Sequence, residues 1–153
     1  MVKRFLILFF LALFASVFLP ELAIVPVKAA PLEVVTADGR TIMFEVELAN
    51  TPDKQRRGLM FVERMPAQQG MVFPMQPPRI ARFWMRNTLL PLDLIFIRPG
   101  GLIAQIATRR DVKSDKVTVS RDAVSAVLEI NAGEARKLNI NVGDIVRMDA
   151  VAF

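Results

Sequence analysis

Leu32-Glu33-Val34-Val35-Thr36-Ala37-Asp38-Gly39-Arg40-Thr41-Ile42-Met43-Phe44-Glu45-Val46-Glu47-Leu48-Ala49 is the stretch that decides the fold. Asp38-Gly39 is a two-residue hairpin signal, because both central positions of that turn need positive φ. Beyond it, Ile42, Phe44, Val46 and Leu48 alternate with Thr41, Met43, Glu45 and Glu47. A period of two sets the first group on a buried face and the second in solvent. This predicts a β-hairpin laid on a core.

The rest of the chain keeps the same grain. Thr51-Pro52-Asp53 opens a short helix, with Thr51 as N-cap and Pro52 in its first turn, and Gly58 ends it. Residues Met60 to Gln69 read as an irregular crossing and Gly70 to Phe73 as a buried strand. Three prolines between Pro74 and Pro78 predict a loop. Strands follow at Ile80 to Arg86, Leu92 to Ile97, Leu102 to Thr108, Ser125 to Ile130 and Ile145 to Val151. Asn131 with Glu134 has the spacing of a capping box, which starts a second short helix running through Leu138. The expected fold is mainly β with two short helices: a single compact antiparallel β-barrel-like domain.

The N-terminus has a different character. Lys3 and Arg4 precede an apolar run from Phe5 to Leu19, and no acidic residue occurs before Glu21. This is the order of a secretory signal, and the run of about 15 residues is short for a span of about 20. Val27-Lys28-Ala29 supplies the small residues that cleavage needs, so residues 1–29 are read as a signal peptide cut after Ala29, and 30–153 as the mature domain. Retention of the leader as an anchor, the one membrane contact expected, is the alternative. Without Lys3, Arg4, Lys28 and Glu21 the chain keeps 17 basic and 14 acidic residues. That mild excess carries no nucleic-acid signature but suits an anionic envelope polymer or an envelope protein as partner. The expected location is periplasmic or secreted.

Among 153 residues there is no Cys, His or Tyr. Disulfides, a cysteine nucleophile, an imidazole base and the Ser-His-Asp triad are excluded. No cofactor or metal site is expected. Met60, Met65, Met71, Met75 and Met85 are soft donors without a histidine, and read as filling for an irregular core. The run from Arg109 to Arg121 reads as a solvated, mainly basic loop.

Several segments resemble the family known as domain of unknown function 192. They are Glu47-Leu48-Ala49, Arg57-Gly58-Leu59-Met60, Gly70-Met71-Val72-Phe73, Phe83-Trp84-Met85-Arg86-Asn87-Thr88, Pro91-Leu92-Asp93 with Phe96, Leu128-Glu129-Ile130 to Gly133, and Gly143-Asp144. Arg86 stands where the family often has lysine, which retains the charge. The resemblance implies a compact, mostly β fold, often behind an export signal, and implies no activity.

Chemistry must then rest on carboxylates, arginines and one tryptophan. Trp84 shares a strand face with Arg82 and Arg86 and reads either as a stacking platform or as a core residue covered by arginine stems. The core reading is the stronger, because tryptophan buries large area. Asp93 lies in an apolar strand, where an unpaired carboxylate is costly. It is expected to accept hydrogen bonds from backbone amides or Asn87, or to pair with Arg86 or Arg57. As catalytic candidates Asp93 and Glu129 would form an acid-base pair acting on a glycan; a structural carboxylate network needs the same residues. The expected binding face is Trp84, Arg86, Asn87, Asp93, Glu129 and Arg57. The leading expectation is an exported, non-enzymatic domain that binds a ligand or partner. A carboxylate-dependent enzyme acting on an envelope polymer and a structural accessory domain are the alternatives.

Overall fold

A computed structural model of the chain describes residues 29–151 and 153. The expected leader lies outside these residues except for Ala29, which opens the first strand. Seven strands and two helices follow in order: β1 (Ala29–Val35), β2 (Thr41–Leu48), α1 (Pro52–Arg57), β3 (Gln69–Phe83), β4 (Leu92–Ile97), β5 (Ile103–Arg109), β6 (Thr118–Asn131), α2 (Glu134–Lys137) and β7 (Ile145–Arg147).

The hairpin forms, but its turn is wider than the two-residue type: Val35 pairs with Thr41, Gly39 N donates to Thr36 O, and of Asp38 and Gly39 only the glycine has positive φ. Ile42, Phe44 and Val46 are buried, while Thr41, Met43 and Glu45 are exposed. Thr51 Oγ1 accepts from Lys54 N at 3.2 Å, and the helix it caps stops at Gly58, whose φ is positive. All strands belong to one sheet in the order β5-β4-β6-β3-β2-β1-β7. Its pairings are antiparallel except that β2 and β3 run parallel. A parallel pair needs a long crossover, which α1 and the irregular residues after it supply.

The sheet curls until its two edges touch. Leu102 bridges Ile145, Ile103 N donates to Asp144 O at 2.9 Å, and Val146 N donates to Gly101 O at 2.8 Å. Asp144 also ties the curl to the first hairpin, accepting from Ala37 N at 2.9 Å and from Asn141 N at 2.7 Å. Inside the curl lies one apolar cluster that includes Leu32, Phe44, Val72, Ile95, Leu128 and Ile130. A second cluster on the opposite face includes Met71, Phe73, Met75, Met85, Leu94, Phe96 and Val127. Apolar cover on both faces is why β4 is buried at every residue and its sequence does not alternate. Met71, Met75 and Met85 fill the second cluster, as expected of flexible side chains in an irregular space.

Three local expectations are corrected. Pro74 to Pro78 forms no separate loop: Pro74 is in register with Ala126, and β3 continues past it as a large bulge in which only Ser125 of β6 lies opposite residues 75–78, so Pro77 and Pro78 owe no ladder hydrogen bonds. Asn131 is not an N-cap. Its amide donates to Met65 O and Pro66 O, while Glu134 accepts from Gln68 N at 2.7 Å. Arg109 is not part of a solvated loop: it is buried, and donates to both oxygens of Asp111, to Lys116 O and to Thr118.

Closure depends on one residue without a side chain. Gly101 has φ +84°, and a Cβ there would collide with the Val146 carbonyl oxygen. Gly39 has a similar φ of +85° but open space around it. Gly101→Ala is therefore expected to cost about 2–4 kcal/mol in urea unfolding, against about 1 kcal/mol for Gly39→Ala. Equal costs would show that the edge contact contributes nothing.

Candidate functional site

The two carboxylates singled out in the sequence sit on neighbouring strands yet serve opposite faces of the sheet. Asp93 is opposite Ile130, whereas Glu129 is opposite Leu94 and Met71. Residues directly opposed across a ladder point the same way, so Asp93 faces the first apolar cluster and Glu129 the second. The structure therefore does not form the acid-base pair.

Asp93 is a structural residue with its acceptors filled. Oδ2 accepts from Gly133 N at 2.9 Å and Ala135 N at 3.1 Å, and Oδ1 accepts from the Thr108 hydroxyl at 2.6 Å. The backbone-amide expectation is met; Asn87, Arg86 and Arg57 are not its partners. From β4, Asp93 takes the place of the expected capping box at α2, whose N-cap is Gly133 and has no side chain to offer.

Glu129 is the opposite case. It is 5% exposed, and among the described residues no hydrogen bond or ion pair reaches its carboxyl. Burial alone pushes its pKa up to about 8, so the group is neutral near pH 7. Its position is set by a close crossing of backbones. Gly70 of β3 lies so near that a Cβ there would strike the Glu129 carbonyl oxygen.

Glu129 borders a cleft of about 330 Å³. One wall is residues 55–60, the end of α1 and its turn; the other is residues 79–84, the far part of β3 together with Trp84 just past its end. Phe73, Met75 and Thr88 complete the lining with Glu129. Arg57, Trp84 and Glu129 of the expected binding face are thus gathered here. Arg86 stands behind Trp84, its guanidinium 4.2 Å from the ring centroid and its Nε 2.7 Å from Asp115 Oδ1, which holds the Asp115 carboxyl below its usual range. Asn87 is a turn residue with φ 54°, its carbonyl accepting from Phe61 N at 2.9 Å. Asp93 lies instead in a separate depression with Thr108, Arg110 and Arg136.

Trp84 corrects the core reading, because it is 45% exposed. The strand ends at Phe83, so the indole leaves the sheet and turns over the cleft instead of packing inward. The sequence reading set Arg82 beside Trp84 but left it out of the binding face, and it missed Arg56, Arg79, Phe73 and Phe83, which also line the cleft. Phe83 makes edge-to-face contacts with Phe73 at 5.1 Å and Phe96 at 6.4 Å, which fixes that wall. The pair Arg79 and Arg82 was visible in the sequence, but its neighbours across the cleft were not.

The contrast between the two carboxylates can be measured. Asp93→Ala leaves two backbone amides and a hydroxyl without their acceptor and is expected to cost about 3 kcal/mol in denaturant unfolding. Glu129 acts on stability through pH. An unfolded glutamate ionises near 4.5 and the folded one near 8. Between those values the unfolded chain binds fewer protons, so this contribution to stability is complete below about 4.5 and is lost as pH rises through about 8. Glu129→Gln should flatten the alkaline fall in melting temperature and melt higher than the parent at about pH 9; parallel profiles would refute the buried, unpartnered carboxyl.

Solved structures resemble this chain, among them two from bacteria. A protein from Sinorhizobium meliloti 1021, described as a proposed transcription regulator, is 36% identical with a TM-score of 0.78, covering 80% of this chain and 95% of its own. A protein of unknown function from Novosphingobium aromaticivorans DSM 12444 is 36% identical with a TM-score of 0.76, covering 82% of this chain and 89% of its own. No curated protein sequence matches. The family model DUF192, described as uncharacterized ACR, matches residues 33–148, which takes in the curled sheet and both walls of the cleft. The chain belongs to the DUF192 family.

Proposed function

We propose that this is an exported, non-enzymatic binding domain whose anionic ligand sits in the cleft between α1 and the far half of β3. The observation that carries the reading is the Glu129 carboxyl, which reaches the floor of the cleft with no hydrogen-bond partner among the described residues. Such a group is costly in a site that only has to fold. Around it, Arg57, Arg79 and Arg82 make no ion pair among the described residues, and Trp84 offers an exposed ring. Free guanidinium groups select carboxylates and phosphates, and an indole held by Arg86 suits a flat or apolar body. The cleft volume is at the small end of the range for ligand sites. Export rests on the leader pattern of Lys3, Arg4 and the apolar run behind them.

The opposed directions of Asp93 and Glu129 weigh against the two-carboxylate enzyme. The transcriptional role proposed for the Sinorhizobium protein is not carried over, since the arginines of this chain line a concave cleft and form no basic stripe along a long helix.

A thermal-shift screen of the full chain against anionic glycans, phosphorylated compounds, acidic peptides and divalent metals tests the proposal. A ligand held only by the folded state at about a hundred times its Kd adds about 2.7 kcal/mol. The expected result is a rise in melting temperature with an anionic class, lost in Arg57→Ala and Trp84→Ala. A screen in which no class shifts the melt overturns it.

A further inference from the structure

The cleft has an unusual wall. Residues 79–84 line it consecutively, not at alternate positions. A strand that presents its face to a cavity contributes every second residue; consecutive lining means that the backbone edge faces the space. Ladder pairing gives the same picture. β3 pairs with β6 through Phe83, but β2 pairs only with Gln69–Val72 before the chain turns into α1. Among the described residues, no strand lies on the other side of residues 79–83. The cleft occupies the position of an absent strand.

Resting on the reading of this cleft as a binding site, we infer that its occupant is an acidic, extended peptide segment of a partner protein, added as a strand to the free edge of β3. Five residues of edge span about 17 Å, enough for a short peptide to form a ladder. Its alternate side chains would meet two environments. One set reaches the inner face with Phe73 and Met75, where Arg79 stands opposite Val124; the other lies along Ile80, Arg82 and Trp84. Neutral near pH 7, Glu129 can donate a hydrogen bond to a peptide carbonyl or carboxylate at the inner end. Arginines on an edge also discourage unwanted pairing. That role by itself would not leave Ile80 at 48% and Trp84 at 45% exposed beside them.

Trp84 is the only tryptophan, so its fluorescence reports on the cleft directly. The full chain is titrated with three capped heptapeptides: alternating Glu and Leu, alternating Lys and Leu, and the acidic peptide N-methylated at every amide, which blocks both of its edges. The acidic peptide is expected to bind, and the other two to bind at least about tenfold more weakly. It should also slow amide exchange in residues 79–83. Arg79→Glu combined with Arg82→Glu, both exposed side chains, should reverse the preference for charge, with folding checked by the melt of the free variant. Equal binding of the N-methylated peptide would overturn strand addition without any variant being needed. A glycan that raises the melting temperature while no peptide alters Trp84 fluorescence would retain the binding site and overturn the peptide. Silence from both overturns both.

Discussion

β3 is hydrogen-bonded to β6 along most of its 15 residues but to β2 over only four. That mismatch organises the functional side of the molecule. Where β2 leaves, the chain must bridge to a parallel partner, and α1 with its turn is the bridge. The bridge covers the second apolar cluster only in part, since it stands off from the far half of β3. Between the two lies the cleft, with an unpaired edge as one wall. The bulge at residues 75–78 carries the chain into the half paired on one edge only, and leaves Pro77 and Pro78 without ladder obligations.

The two buried carboxylates show how a period of two assigns roles. Asp93 and Glu129 are similar groups, each within an apolar strand and each almost without exposure. One residue of register places them on opposite faces. Asp93 meets the start of α2, where backbone amides are short of acceptors, and becomes a fixed cap. Glu129 meets methionine, leucine and phenylalanine side chains, finds no donor, and holds its proton. The difference arises from surroundings that come from distant parts of the chain.

Much of the architecture was legible because local chemistry is strong where the signals are short. Asp38-Gly39, the alternation of Ile42, Phe44 and Val46, and Thr51-Pro52 with Gly58 each specify their element through neighbouring residues alone. Pro77 and Pro78 misled because a strand facing a single residue of its partner tolerates them, and Pro74 because it stands in the ladder beside that bulge. The capping box misled because a carboxylate 40 residues away, Asp93, supplied the acceptor instead. Of the candidate site, Arg57, Trp84 and Glu129 were recognised as chemically unusual and Arg82 as a neighbour of Trp84, but nothing near them in the chain marks Arg79 as a companion.

The sequence by itself determined the place of most strands, though not the full extent of β3, β6 and β7, together with the two short helices, the family and the small set of residues able to carry chemistry. It did so because periodicity, turn preference and capping are interactions within a few residues. Tertiary structure alone decided that β2 and β3 run parallel, that Asp93 and Glu129 never meet, and that Trp84 stays in solvent over a cleft. Those outcomes depend on which strands become neighbours and how far each pairing extends, and that is set by the joint packing of the whole sheet.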